Sequence, residues 1–487
     1  MMTSNQNPAP ENERIAWLNR NAWLDGADLK TEWKQAEEEG RDLSSVEGEF
    51  RELLAVESPE DGWHQKLGGA RDLAWLRRAG ELVDRVQTLP PRADYPHVEP
   101  NGLEEIRAER PAAVPLEPWG GDETAFLEKL HGALLGRMCG CTLGKPVETW
   151  TRASIELTGK LTGNWPITDY WRYYSDEEAA RIASENPRNR FRSPGNGCFR
   201  ENLDGMEMDD DINYTILGYV IVRKVGADFT SLDVAQYWGG YLPIFLTCTA
   251  ERAAYRNFVN GVTPPHSALV RNPYREWIGA QIRADYFGYA NPGNPERAAE
   301  WAWRDARVSH VRNGIYGEMW VAAMLAAAYV TREVDTVIRA GLARIPARCR
   351  LAADIQKILD AHAAGKSWEE VVAAIHAQWD ETAQHDWCHT NGNAQVVAAA
   401  LLYGENDFET VITRAVMPGF DTDCNGATAG SVWGVMHGVS ALPQKWTKPL
   451  NNTVRSGVFG YHELQISELA QDMVTIALKN QEKKDPV

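Results

Sequence analysis

The sequence is short of positive charge. Its 487 residues carry 50 Lys and Arg against 68 Asp and Glu, a formal net charge of −18. Nucleic acid and anionic membrane surfaces each need a basic face, so neither is an expected partner. No run approaches the roughly 18–20 apolar residues of a membrane span. The start, MMTSNQNPAPENERIAW, lacks the basic region and apolar core of a secretory signal. Seven cysteines, odd in number and scattered, form no disulfide framework. Cys139 and Cys141 make a Cys-x-Cys with no second pair, which is too little for a zinc site. The expectation is reduced thiols in a cytoplasmic protein. Alternating strand-like runs are scarce and no repeat has a solenoid period, so the fold class is read as all-α.

What is present divides the chain unevenly. Residues 1–86 mix tryptophan with charge, and DLAWLRRAGELVDRV (72–86) has helical spacing. Residues 87–123 are rich in proline, which fixes its own backbone and biases the preceding residue away from helix, so this stretch is read as an extended linker. Residues 124–487 hold long alanine-rich helical runs such as GEMWVAAMLAAAYV (317–330) and NAQVVAAALLYG (393–404), and are read as the catalytic domain. Two helical runs carry glycine at every fourth position: Gly132, Gly136, Gly140 and Gly144, then Gly430, Gly434 and Gly438. Each mid-helix glycine costs about 1 kcal/mol relative to alanine. One helix face made of glycine therefore predicts close helix–helix packing.

The stretch EMDDDINYTILGYVIV (207–222) crowds Asp209, Asp210 and Asp211 in front of a helical apolar pattern, Ile212, Ile216 and Val220. One Asp suffices to cap a helix; three adjacent carboxylates repel and call for a cation. A second acidic pair, Asp421 and Asp423 in PGFDTDCNGATAG (418–430), sits in a turn leading into the second glycine helix. Oxygen ligands converging from a turn suit a hard divalent ion, and the five carboxylates are enough for two.

Three blocks, GALLGRMCGCTLGKPVE, DDDINYTILG and GFDTDCNGATAGSVWGVMHG, resemble the signatures of the ADP-ribosylglycohydrolases, in the family's order, over roughly residues 124–445. The resemblance implies an all-α domain that holds two divalent ions, Mg²⁺ or Mn²⁺, beside the distal ribose of an ADP-ribosyl group. It also implies metal ligands at Asp209, Asp210, Asp211, Asp421, Asp423 and Cys424. Two positions depart from the family pattern. The usual Thr-Asp-Asp-Thr reads Asp209-Asp210-Asp211-Ile212, and the usual Asp-Thr-Asp-Thr/Ser ends in Cys424, a poor ligand for Mg²⁺. A shifted alignment places Met208 at the first threonine. Glu148 matches a family glutamate near the scissile bond, so Glu148, Asp210 and Asp211 are the catalytic candidates. The distorted middle block gives Arg283, Gly288 and His310 as candidate substrate contacts, and the helix before the second acidic block adds His389 and Asn391.

The implied activity is hydrolysis of the glycosidic bond between a ribosyl group and its acceptor. The substrate is an ADP-ribosylated protein or a small ribosyl compound. Two rival readings stand beside it: a metabolic N-riboside hydrolase, and an ADP-ribose-binding protein without activity. Isoprenoid-type phosphoryl chemistry is disfavoured, because DDDINYT lacks the distal Asp of Asp-Asp-x-x-Asp.

Overall fold

Three helices come first: α1 (Leu29–Glu38), α2 (Glu47–Leu54) and α3 (Leu73–Val86). The structure is a computed structural model, and it describes residues 22–24, 26–56, 72–185 and 198–482. The helix α3 is the one expected from the spacing at 72–86, and Asp72 caps it by accepting from the Ala74 and Trp75 amides. These helices bury a small core of their own around Leu29, Phe50, Leu53, Trp75 and Leu82.

The face of α1 turned to the rest of the protein is charged rather than apolar. Arg275 is fully buried and donates to both oxygens of Glu32 (2.6 and 3.0 Å) and to Glu39 (2.6 Å). Glu38 faces His385, His389 and Arg350 at 3.2, 3.3 and 3.5 Å. Burial would push the Glu38 and Glu39 carboxyls up. The two histidines outweigh it at Glu38, and Arg275 and Arg312 do so at Glu39, so both are pulled down to about 2. The proline-rich stretch then runs against the body. Tyr316 donates its hydroxyl to the Pro100 carbonyl, Trp303 its indole N–H to that of Asn101, and Ile106 is buried in the main core.

The body is helical. Helix accounts for about 62% of the structure. Among the described residues the only strands are β1 (Thr453–Arg455) and β2 (Glu463–Gln465), antiparallel with Thr453 opposite Gln465. Its central helices are α4 (Glu123–Gly144), α5 (Asp210–Val225), α6 (Asn313–Ala328), α7 (Thr390–Leu402) and α8 (Thr422–His437). Every residue of α6 is buried, which is why its sequence is apolar all round rather than striped.

The glycine stripes meet. Helices α4 and α8 run antiparallel with Gly132 against Gly434, Gly136 against Gly430, and Gly140 against Gly426. A Cβ on Gly132 would lie 2.6 Å from the Gly434 carbonyl oxygen, and one on Gly426 would lie 2.5 Å from that of Gly140. At the end of the stripe Gly144 abuts Thr422, whose hydroxyl donates to the Gly144 carbonyl at 2.8 Å. The two backbones touch. The C-terminal end of α4 is thereby fixed against the N-terminal end of α8.

Candidate metal centre

Three chain segments converge where α4 ends and α5 and α8 begin. Asp209 is the N-cap of α5, its Oδ1 accepting from the Asp211 amide at 3.1 Å. Asp421 is the N-cap residue of α8, and its amide donates to Asn393 of α7 at 3.1 Å; the Asn425 side chain donates to the same oxygen at 2.8 Å. Ligand atoms of Cys141, Asp209, Asp211 and Asp423 lie within 4.8 Å of one another, and so do those of Asp421, Asp423 and Cys424. The two groups share Asp423. Residues some 210 positions apart in the chain are thus brought into one cluster by the glycine interface.

Four of the five aspartates are buried, Asp211 completely; Asp210 alone is half-buried and reaches solvent. Burial, followed by the neighbouring carboxylates Asp209 and Asp423, pushes Asp210 well above the usual carboxylate range. Asp421 is raised in the same direction, by burial and then by Asp423. Asp211 is raised as well: burial dominates, and the opposing pull of Arg137 does not cancel it. The Cys141 and Cys424 thiols are driven up by burial and by these carboxylates, so both remain protonated.

Two side chains of α4 and its following turn enter the cluster. Arg137, fully buried, donates to Asp211 Oδ1 (2.8 Å), to the Asp211 and Ile282 carbonyls (2.9 and 2.7 Å), and pairs with Asp285 at 2.7 Å. Lys145 donates to Asp209 Oδ2 (2.5 Å) and to the Met208 carbonyl (2.6 Å). Burial alone would lower the Lys145 ammonium, but Asp209 overrides it and holds it above the usual lysine range. Asp211 Oδ2 has no hydrogen-bond partner although the residue is fully buried. An oxygen left so is expensive unless a cation takes it up. The donor set, carboxylate oxygens with protonated thiols at the margin, fits a hard divalent cation.

The other sequence candidates lie among different partners. Glu148 is half-buried, at the end of the turn Lys145–Val147 that follows α4. Arg283 is buried among acids, pairing with Glu251 (2.6 Å), Asp305 (2.5 Å) and Glu318 (3.5 Å). Gly288 lets its helix approach α6, where a Cβ would meet Leu325 at 2.5 Å. His310 is fully buried on Ser309, and burial with Arg283 nearby keeps it well below the usual histidine range, hence neutral. His389 stacks on Trp379, and the Asn391 side chain donates to Asp354 at 2.9 Å. These five side chains are taken up outside the acidic cluster. Conversely, sequence reasoning passed over Arg137, Lys145 and Asn393. The available signal was a charged residue on an otherwise apolar glycine helix.

Glu38, His385 and His389 form a further group with ligand atoms within 4.8 Å. Both imidazole Nδ1 atoms accept, from Trp277 Nε1 (3.2 Å) and from the Asn391 amide (3.1 Å). Those donors cannot accept, so each ring carries its proton on Nε2, the atom facing Glu38. The triad is a hydrogen-bonded latch rather than a metal site.

Comparison with known proteins agrees with this placement of acids on helices. One solved structure that the chain resembles is titled "ADP-ribosylglycohydrolase-related protein complex". The match has 16% identity over 73% of this chain and 99% of that chain, with a TM-score of 0.45. No curated protein matches. Residues 122–484, well over half the chain, match the family model described as ADP-ribosylglycohydrolase, and the chain belongs to that family.

Proposed function

We propose that this chain is a divalent-metal-dependent hydrolase that cleaves the glycosidic bond between an ADP-ribosyl or related ribosyl group and its acceptor. The observation that carries the reading is the buried acidic cluster at the meeting of two helix N-termini, with Asp211 Oδ2 lacking a partner. Asp211, Asp421 and Asp423 would hold the ion, and Mg²⁺ or Mn²⁺ suits their oxygens. When bound, such an ion supplies Lewis-acid contact to the ribose hydroxyls and stabilises charge developing at the anomeric carbon.

The chain's own residues do the rest. Asp210, the one aspartate of the cluster open to solvent, takes the proton of the attacking water. The water oxygen bonds to the anomeric carbon as the bond to the acceptor breaks, with the electron pair leaving on the acceptor atom. Glu148, half-buried just past Lys145, returns a proton to that atom. The Arg137–Asp285 pair keeps Asp211 oriented and excludes water from behind it.

The test is calorimetric titration with ADP-ribose in Mg²⁺ and again in EDTA, followed by release assays on ADP-ribosyl-arginine and ADP-ribosyl-serine peptides. Binding only with Mg²⁺, and release abolished in Asp210→Asn, is the expected result. Metal bound without ADP-ribose binding would move the substrate to a smaller riboside. Ligand binding without any release would leave a non-catalytic ADP-ribose binder.

A further inference from the structure

We propose that the Lys145 ammonium stands in for one of the two cations implied by the family resemblance, so that the acidic cluster of this chain takes a single divalent ion, on the side of Asp211, Asp421 and Asp423. This rests on the reading of that cluster as a divalent-cation site.

The two ligand groups that share Asp423 are not equivalent. On the Cys141 side the donors are spoken for. Asp209 uses Oδ1 to cap α5 and Oδ2 to accept from Lys145. Asp211 Oδ1 accepts from Arg137. Cys141 offers only sulfur, a poor partner for a hard cation. Lys145 itself is buried and bonded to two oxygens, the Asp209 carboxylate and the Met208 carbonyl, as a small cation would be. A divalent ion entering there would have to evict an ammonium from its carboxylate and then meet it as a like charge. On the other side stand Asp421, Asp423 and the partnerless Asp211 Oδ2, with no lysine or arginine bonded to Asp421 or Asp423.

The position of Lys145 is built rather than incidental. It follows directly on Gly144, whose backbone is pressed against Thr422, so its side chain starts from a fixed point. It also sits at the C-terminal end of α4, where the helix dipole favours a cation. Asp209 and Lys145 are complementary departures. The carboxylate in place of the family's hydroxyl adds one negative charge, and the ammonium neutralises it.

The experiment counts metal. The full chain is stripped with EDTA, reloaded with Mn²⁺, desalted, and its manganese measured per chain by elemental mass spectrometry; the same is done for Lys145→Met, which keeps the stem and removes the charge. The expected result is one ion in the parent and two in the variant. Electron paramagnetic resonance of the loaded parent reads the same point without a variant, with the six-line spectrum of an isolated Mn²⁺ expected. Two ions in the parent, or the many-line spectrum of a coupled pair, would overturn the inference and leave the proposed hydrolase intact. One ion in both proteins, with the variant folded by circular dichroism, would overturn the role of Lys145. No ion in either would overturn the divalent-cation reading itself.

Discussion

At the scale of single residues, the acidic cluster is a balance between fixed cations and excess carboxylate. Arg137 touches both Asp211 and Asp285 in a site without solvent. Truncating it leaves two buried charges uncompensated, so Arg137→Met should lower stability by about 3–5 kcal/mol. Chemical denaturation reads this, with an unchanged midpoint as the contrary result. The raised carboxyls set a pH dependence. Asp210, Asp211 and Asp421 bind protons more tightly in the folded metal-free chain than at their unfolded value near 3.8. Stability therefore falls as pH rises above that value, because the unfolded state releases those protons first. In EDTA the melting temperature should drop between pH 5 and pH 8. A divalent ion, which favours the charged form, should flatten the slope, and thermal melts with and without Mg²⁺ measure both.

At the scale of elements, the α4–α8 contact decides whether the cluster exists. Helices whose backbones touch cannot accept a methyl between them, and Gly140 faces the Gly426 carbonyl directly. Gly140→Ala should cost about 1–3 kcal/mol or more through overpacking. It should also weaken Mn²⁺ binding, because Cys141 and Lys145 move with the helix. Gly239, in the helix Ser231–Tyr241, has no atom within 4 Å of an added Cβ, and alanine there should stabilise by about 0.5–1 kcal/mol. Equal effects of the two substitutions in a denaturation series would refute the packing account. The stripes were legible in the sequence because glycine in a helix has few other uses. Their pairing was not, since nothing local says which face meets which.

For the whole molecule, the N-terminal helices are bound to the body by charge. Glu38 and Glu39, held at about 2 against an unfolded value of 4.5, stabilise the docked state above pH 4.5 and lose that contribution as pH falls toward 2. Hydrogen exchange should show α1 opening between pH 4.5 and pH 3 while α6 stays protected; simultaneous opening of both would contradict a separable latch. The latch reaches the acidic cluster through a short chain of contacts. Glu38 faces His389, the cap of α7, and Asn393 one turn on holds the Asp421 amide. His389 and Asn391 therefore act from the N-terminal side, where spacing alone placed them in a cleft.

The sequence by itself determined the helical class, the glycine faces, and the acidic runs at helix starts, because periodicity, capping and charge crowding are local properties. Only the tertiary structure decided that Asp209–Asp211 and Asp421–Asp423 share one site. It alone shows that Lys145 and Arg137 point into that site, while Arg283 is enclosed by Glu251, Asp305 and Glu318. The physical reason is that a charge's role depends on what lies within a few ångströms of it. In an all-α chain those neighbours come from residues hundreds of positions away.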